Sequence, residues 1–177
     1  METERLLIRP FSPDDHTDLY EYLSQEEVVR YEPYGVCTAE QSRQEATRRA
    51  GDFSFWAVCL KDSDKLIGNI YLSPQDFGSW LLGYVFNARF HGRGYATEAV
   101  RALLDDVFGQ WRARRVIAMC NPINTPSWRL LERLGFRREG CLIQNVYLKT
   151  DTSGNPIWTD TYEYAILADE WQSREAR

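Results

Sequence analysis

Hydrophobic positions along the chain keep two different spacings, and the changes between them mark the elements. Residues 5–9 (Arg-Leu-Leu-Ile-Arg), closed by Pro10, read as a first strand. Ser12-Pro13-Asp14-Asp15 then supplies a hydroxyl N-cap and a proline at the first helical position, predicting a helix to about Leu23. Thr38-Ala39-Glu40-Gln41 matches a capping box and opens a second, mainly polar helix to about Ala50, expected on the surface. Three strand-like runs follow at 53–60, 65–72 and 80–86, as an antiparallel meander. After Phe86 the period becomes helical, with Ala96, Ala99, Val100, Leu103, Leu104, Val107, Phe108 and Trp111 along one face. The next strand, 115–120, completes a β-α-β crossover, which requires two parallel strands. A helix over 126–134 has Thr125 as its candidate cap, Pro126 at its first position and Gly135 as its stop. Strands over 141–149 and 157–167 flank the turn at 151–156. The order is β-α-α-β-β-β-α-β-α-β-β, an α/β class built on one mixed sheet with helices on its faces.

Composition narrows the class. At 177 residues the chain has the length of about one domain, and 44% hydrophobic against 27% charged residues is enough apolar material for one core. Lys+Arg 21 against Asp+Glu 26 leaves a net charge of −5, which argues against a general nucleic-acid or anionic-membrane binder, since both need a basic face. Cys37, Cys59, Cys120 and Cys141 form no C-x-x-C pair, so no metal site is expected, and reduced, mostly buried thiols are. The polar start Met1-Glu2-Thr3-Glu4-Arg5 does not read as a signal peptide, and no apolar run approaches the roughly 18 residues of a membrane span. The expected location is the cytoplasm.

Chemistry concentrates where the third meander strand meets the amphipathic helix, at Arg89-Phe90-His91-Gly92-Arg93-Gly94-Tyr95-Ala96-Thr97. Two glycines let backbone amides point at an anion at the helix N-terminus, Arg89 and Arg93 add charge, and Thr97 adds a hydroxyl. A dinucleotide fingerprint needs a third glycine where Thr97 stands, and no Gly-Lys-Ser/Thr follows for a P-loop. A pyrophosphate cradle of another kind or an ordinary strand-to-helix turn with solvated arginines remains. Within the preceding strand, Gly83 suggests a bulge or a close backbone approach.

The turn resembles the coenzyme-A signature Gln/Arg-x-x-Gly-x-Gly/Ala of the GCN5-related N-acetyltransferases (GNAT), which Arg89-Phe90-His91-Gly92-Arg93-Gly94 fits. The RimJ/RimL-like branch is more similar still, through Thr3-Glu4-Arg5-Leu6-Leu7-Ile8-Arg9, Gly92 to Ala99, and Asn124-Thr125-Pro126-Ser127 leading to Leu134-Gly135-Phe136. The resemblance implies a single N-acetyltransferase domain over 3–171, with a twisted sheet whose parallel strands splay apart. It further implies acetyl-CoA as co-substrate, with its pyrophosphate on the amides of His91, Gly92, Arg93, Gly94, Tyr95, Ala96 and Thr97. Asn124 would bond the pantetheine arm, with Ser127, Arg129 and Arg133 along the cofactor path. A backbone amide among Tyr84, Val85 and Phe86 would face the thioester carbonyl.

The implied reaction is direct attack of a primary amine on the thioester. Ser127 matches the family position proposed to protonate the departing thiolate, or is a first-turn hydroxyl bonded to backbone. Glu32, in the loop that lines the family's acceptor pocket, is the candidate base or a solvated carboxylate, with Asp76 and Asp160 as rivals. Acceptors in this branch include protein N-termini and small amines, and members are often homodimers, so a homodimer is expected. A non-catalytic acyl-CoA sensor or assembly protein would need the same turn without the acid and base.

Overall fold

Two reciprocal caps set the first helices. In the computed structural model, which describes residues 1–175, strand β1 (Leu6–Pro10) is followed by Ser12, whose hydroxyl accepts from the Asp14 amide at 3.2 Å while the Asp15 carboxylate accepts from the Ser12 amide at 2.8 Å. One tight turn, Pro13–Asp15, feeds α1 (His16–Leu23). A short helix absent from the sequence reading, α2 (Glu26–Val29), precedes α3 (Ala39–Ala50), where Thr38 and Gln41 close the expected capping box. Helix α3 is not a wholly surface helix. Ser42, Ala46 and Arg49 are buried, and Arg49 bonds Glu45 at 2.8 Å and the buried Asn69 at 2.9 Å while lying over the rings of Phe11 and Phe55.

The remaining elements are β2 (Phe55–Leu60), β3 (Leu66–Pro74), β4 (Ser79–Phe86), α4 (Tyr95–Gly109), β5 (Arg115–Cys120), α5 (Thr125–Arg133), β6 (Arg137–Thr150), β7 (Pro156–Leu167) and α6 (Ala168–Glu175). The strands form a seven-stranded mixed sheet in the order β1-β2-β3-β4-β5-β7-β6. β1 with β2, β2 with β3, β5 with β7 and β6 with β7 are antiparallel. β4 and β5 are parallel, as the crossover through α4 requires, with registered pairs from Ser79↔Arg115 to Leu82↔Ala118.

The chain groups into two compact units interleaved in sequence. The first comprises Met1–Arg30, Gly35–Ser73 and Gly83–Leu104, and its core includes Leu6, Ile8, Leu19, Tyr22, Ile67 and Ile70. The second comprises Tyr31–Tyr34, Pro74–Leu82 and the described residues from Asp105 onward, with Val107, Val116, Leu131, Leu134, Tyr164 and Ile166 buried. Helix α6, absent from the sequence reading, is fixed in this unit by Trp171, whose indole nitrogen donates to Asp105 at 2.8 Å and whose ring lies 6.1 Å from that of Phe108. Six of the eight residues predicted for the apolar face of α4 are buried, and Ala96 and Trp111 are half-buried.

Several boundaries and environments depart from the sequence reading. β6 is longer than expected, and its register with β7 shifts three times. One irregularity sits at Gln144, with φ +45°, whose amide is held at 2.8 Å by the Asp160 carboxylate. Cys59 and Cys120 are buried, Cys37 is half-buried and Cys141 is exposed, and all four thiols are free. The cap of α5 is Asn124, not Thr125: the Asn124 carbonyl accepts the Ser127 and Trp128 amides at 3.1 and 3.4 Å, which makes Thr125 the first helical residue.

The glycine signal in the meander also lies elsewhere than expected. Gln75 donates to the Ser79 carbonyl at the turn, and Asn87 donates to the Ile67 carbonyl eight residues further along each strand, so β3 and β4 hold one register with no net insertion at Gly83. A Cβ on Gly83 would meet only Tyr71, at an ordinary 3.6 Å. On Gly68 it would lie 2.5 Å from the Phe86 ring and 2.7 Å from the Val85 carbonyl. The close approach belongs to Gly68. Gly68→Ala is therefore expected to cost about 1–3 kcal/mol by overpacking, while Gly83→Ala stays within about 1 kcal/mol of wild type in urea unfolding. Equal losses at the two positions would refute the assignment.

Candidate active site

The site in the first unit starts from the end of β4. Asn87 is fully buried, and its side chain ties three segments together. Its oxygen accepts from the Arg89 amide at 3.1 Å and from the Gln25 amide side chain at 3.1 Å, and its nitrogen donates to Glu21 at 3.0 Å. Gln25 in turn accepts from the Ala88 amide at 3.3 Å. The chain thus leaves the strand as one tight turn, Ala88–Phe90, capped by Asn87. Gly92 and Gly94 follow with φ +73° and +82°, left-handed values that favour glycine, and α4 begins at Tyr95. The first helical bond runs from the Glu98 amide to the Gly94 carbonyl, 3.0 Å, which leaves the amides of Tyr95, Ala96 and Thr97 ahead of it at the positive end of the helix. A Cβ on Gly92 would meet nothing within 4 Å, so the approach to the turn is open.

Two sequence-predicted residues of the turn serve it from behind. The His91 amide donates to the Ala88 carbonyl at 3.1 Å, and its ring Nε2 lies 2.9 Å from the Phe86 carbonyl. A carbonyl only accepts, so Nε2 carries the hydrogen, and both His91 donors brace the turn instead of facing an anion. The Arg89 guanidinium pairs with Glu21 at 3.2 Å, so its charge is shared with that carboxylate. Arg93 is exposed and lies over the Phe90 ring at 5.7 Å. In β4, strand alternation places the Val85 amide on the same edge as that of Asn87, facing β3, and places the amides of Tyr84 and Phe86 on the opposite edge.

The second unit holds the other predicted residues. Asn124 makes no capping bond with its side chain, although its backbone caps α5. Ser127, in the first turn of α5, is hydrogen-bonded through its side chain to Cys120, whose thiol burial pushes up to about 11. Arg129 is exposed and lies over the Trp128 ring at 5.5 Å. Arg133 is exposed, and its carbonyl accepts from Arg174 at 2.9 Å. Leu130, Leu131 and Leu134 form the buried face of α5, whereas Trp128 is half-buried with its indole donating to the Pro122 carbonyl at 3.1 Å. Glu32 is half-buried in the loop before α3. Of its rivals, Asp76 is exposed and Asp160 is engaged by the Gln144 amide. Burial and a hydrogen bond to Glu132 together push the Tyr164 hydroxyl up to about 12, so it donates to that carboxylate as a neutral phenol, at 3.0 Å.

The acetyltransferase (GNAT) domain family matches residues 5–137 of the chain. An uncharacterized N-acetyltransferase of Bacillus subtilis, YnaD, is 40% identical, the match covering 96% of this chain and 97% of the relative. The [ribosomal protein uS5]-alanine N-acetyltransferase of Escherichia coli is 26% identical over 97% of this chain and 92% of its own. Among solved structures, a GNAT-family acetyltransferase from Bacillus anthracis superposes with a TM-score of 0.87 at 37% identity, covering 96% of this chain and 99% of that one. Among the described residues no helix is long and apolar enough to cross a membrane.

Sequence reasoning missed the residues that hold the turn from behind. Asn87 was detectable, since an asparagine directly after a strand is a common cap. Glu21 and Gln25 lie more than 60 positions away and give no local signal. The Glu21 carboxylate is held below its ordinary 4.5, first by its hydrogen bond to Lys65 and then by Asn87 and the nearby cations. A lowered folded value means that its stabilisation is complete above 4.5 and is lost as pH falls through the folded value. The advantage of wild type over Glu21→Gln in urea unfolding is expected to be full at about pH 7 and to shrink as pH falls through the lowered folded value. A gap unchanged at the acid end would refute the ionic role.

Proposed function

The chain belongs to the GNAT family of N-acetyltransferases, and on that premise we propose that it seats the diphosphate of acetyl-CoA on the turn at Gly92–Gly94 and passes the acetyl group to a primary amine. The carrying observation is the pair of left-handed glycines, which set the amides of Tyr95, Ala96 and Thr97 ahead of the first helical bond beneath an open approach. Such amides suit phosphate oxygens without further charge. Gly92, Arg93 and Gly94 complete the cradle, and His91 and Arg89 shape it.

Asn124, whose side chain the helix cap does not use, bonds the pantetheine arm, with Arg129 and Arg133 along the same path. The amide of Tyr84 or Phe86, on the edge of β4 away from β3, donates to the thioester oxygen as it becomes an oxyanion; one such donor is worth about 3–4 kcal/mol. Glu32 takes the proton from the acceptor ammonium, and the free amine attacks the thioester carbon. When the carbon–sulfur bond breaks, Ser127 gives its proton to the departing thiolate and takes one in return from the attacking nitrogen, which loses its second proton as it becomes a neutral amide. The Cys120 thiol at its back stays neutral at pH 7, and so adds no competing charge.

The acceptor class follows the relatives. The Escherichia coli enzyme acts on an alanine of ribosomal protein uS5, which favours a peptide or protein N-terminal amine here, with small amines as the alternative. A screen with acetyl-CoA against peptides with free N-termini and against small amines, read by mass spectrometry and thiol release, decides between them. Ser127→Ala is expected to lower kcat by about a hundredfold with KM for acetyl-CoA within about threefold, the signature of a lost proton donor. Unchanged kcat removes Ser127 from the mechanism. Glu32→Gln should abolish the acidic limb of the pH–rate profile, while Asp76→Asn and Asp160→Asn retain it. CoA binding without thiol release for any amine would overturn the reading.

A further inference from the structure

The amides at the head of α4 share that helix end with a resident anion. Glu98 is the fourth residue of α4, where the helix's own partial charge stabilises a carboxylate and where that carboxylate would repel a second anion. The segment ahead of β1 closes on it with four donors. Thr3 Oγ1 and the Arg5 amide donate to Oε1 at 2.6 and 3.0 Å. Arg5 Nε donates to Oε2 at 2.7 Å, and Nη2 pairs with the same oxygen at 2.6 Å. Glu98 is accordingly held below its ordinary value, burial opposing and these bonds prevailing.

The same guanidinium reaches the turn itself. Arg5 Nη1 donates to the Arg93 carbonyl at 3.0 Å, and Cζ lies 4.5 Å from the centre of the Tyr95 ring. Nη2 would stand only 3.4 Å from a Cβ on Gly94. One side chain therefore touches three successive residues of the turn and the carboxylate behind them. Its own backbone is anchored, since the Lys61 amide donates to the Arg5 carbonyl at 3.0 Å and Lys61 Nζ donates to the Thr3 carbonyl at 3.0 Å. As a stabilising device the pair is poor, because the Arg5 side chain is 42% exposed and surface ion pairs contribute little to folding.

We infer that Thr3 and Arg5 form a positioning strap, which cancels the Glu98 charge and fixes the Arg93 carbonyl so that the glycine turn meets a diphosphate without repulsion from its own helix. The strap rests on the reading of that turn as the diphosphate seat. Neither residue touches the reacting atoms.

Calorimetry with CoA, with ADP, which carries the diphosphate, and with pantetheine, which lacks it, tests the strap. Arg5→Ala is expected to weaken CoA and ADP by about tenfold, to leave pantetheine unchanged, and to raise KM for acetyl-CoA by the same factor with kcat within about twofold. Adding Glu98→Gln to Arg5→Ala should restore at least half of the loss on a logarithmic scale, because the repelling charge is gone. Arg5→Lys, which keeps the charge but not the fork that spans Glu98 and Arg93, should recover part of it and serves if the alanine variant fails to fold. Equal CoA affinity in wild type and Arg5→Ala overturns the strap and leaves the diphosphate seat standing. A loss that extends to pantetheine and that Glu98→Gln does not relieve marks general loosening and overturns it as well. A wild type that binds neither CoA nor ADP overturns the seat and the strap together.

Discussion

A strand that hands its chain to a helix within a few residues, with the amide end of the helix left open, must pass through backbone conformations that side chains with a Cβ resist. Gly92 and Gly94 supply them, and the helix that follows is committed from its first bond, Glu98 to Gly94. Helix α4 then buries Ala99, Val100, Leu103, Leu104, Val107 and Phe108 and delivers the chain to β5 in the direction that a parallel pairing with β4 demands. The open amides at the helix end and the sheet topology are thus two results of one local constraint. Altering the handedness at either glycine would disturb both.

That constraint works only if the strand end is immobile, and the immobility comes from buried polar chemistry. Asn87, with no exposed surface, has its backbone in the sheet and its side chain on Arg89, Gln25 and Glu21. A buried amide side chain is costly unless its donors and acceptors are met, so the same residue that ends the strand also fixes α1 against it. His91 adds a second tie by spanning the turn back to the Phe86 carbonyl. The turn is held from behind by bonds that leave its front amides uncommitted.

Legibility in the sequence followed the range of each interaction. The capping pairs at Ser12 and Thr38, the helical period from Ala96 to Phe108 and the glycine turn are all local, and each falls where the residues indicate. Helix α6 was not visible, because its start carries no cap signature and its place is set by Trp171 reaching Asp105 and Phe108, 60 or more positions earlier. Gly83 is a glycine inside a strand, yet Gly68 is the one pressed against Phe86, and only the strand register reveals which glycine faces a ring. The site divides the same way. The amide donors at 95–97 were readable from spacing, whereas the bracing roles of His91 and Arg89 depend on Phe86 and Glu21 standing where the fold puts them. Ser127 was found by resemblance, but its partner Cys120 was invisible until β5 and α5 were placed.

Net charge illustrates why such placement decides function. A chain at −5 looks ill suited to receive a polyanion, and two carboxylates, Glu21 and Glu98, stand close to the turn. Each is already claimed. Glu21 accepts from Lys65 at 2.8 Å and from Asn87 and Arg89, and Glu98 accepts from Thr3 and Arg5. A carboxylate whose oxygens are occupied by cationic and hydroxyl donors has its charge compensated at contact distance, so it repels a neighbouring anion less. What an approaching phosphate meets is therefore set by the amide ends of one helix and the arginines around them. On the proposed reading, the acidic surplus elsewhere suits the opposite need, a cationic amine that approaches and gives up a proton before it attacks.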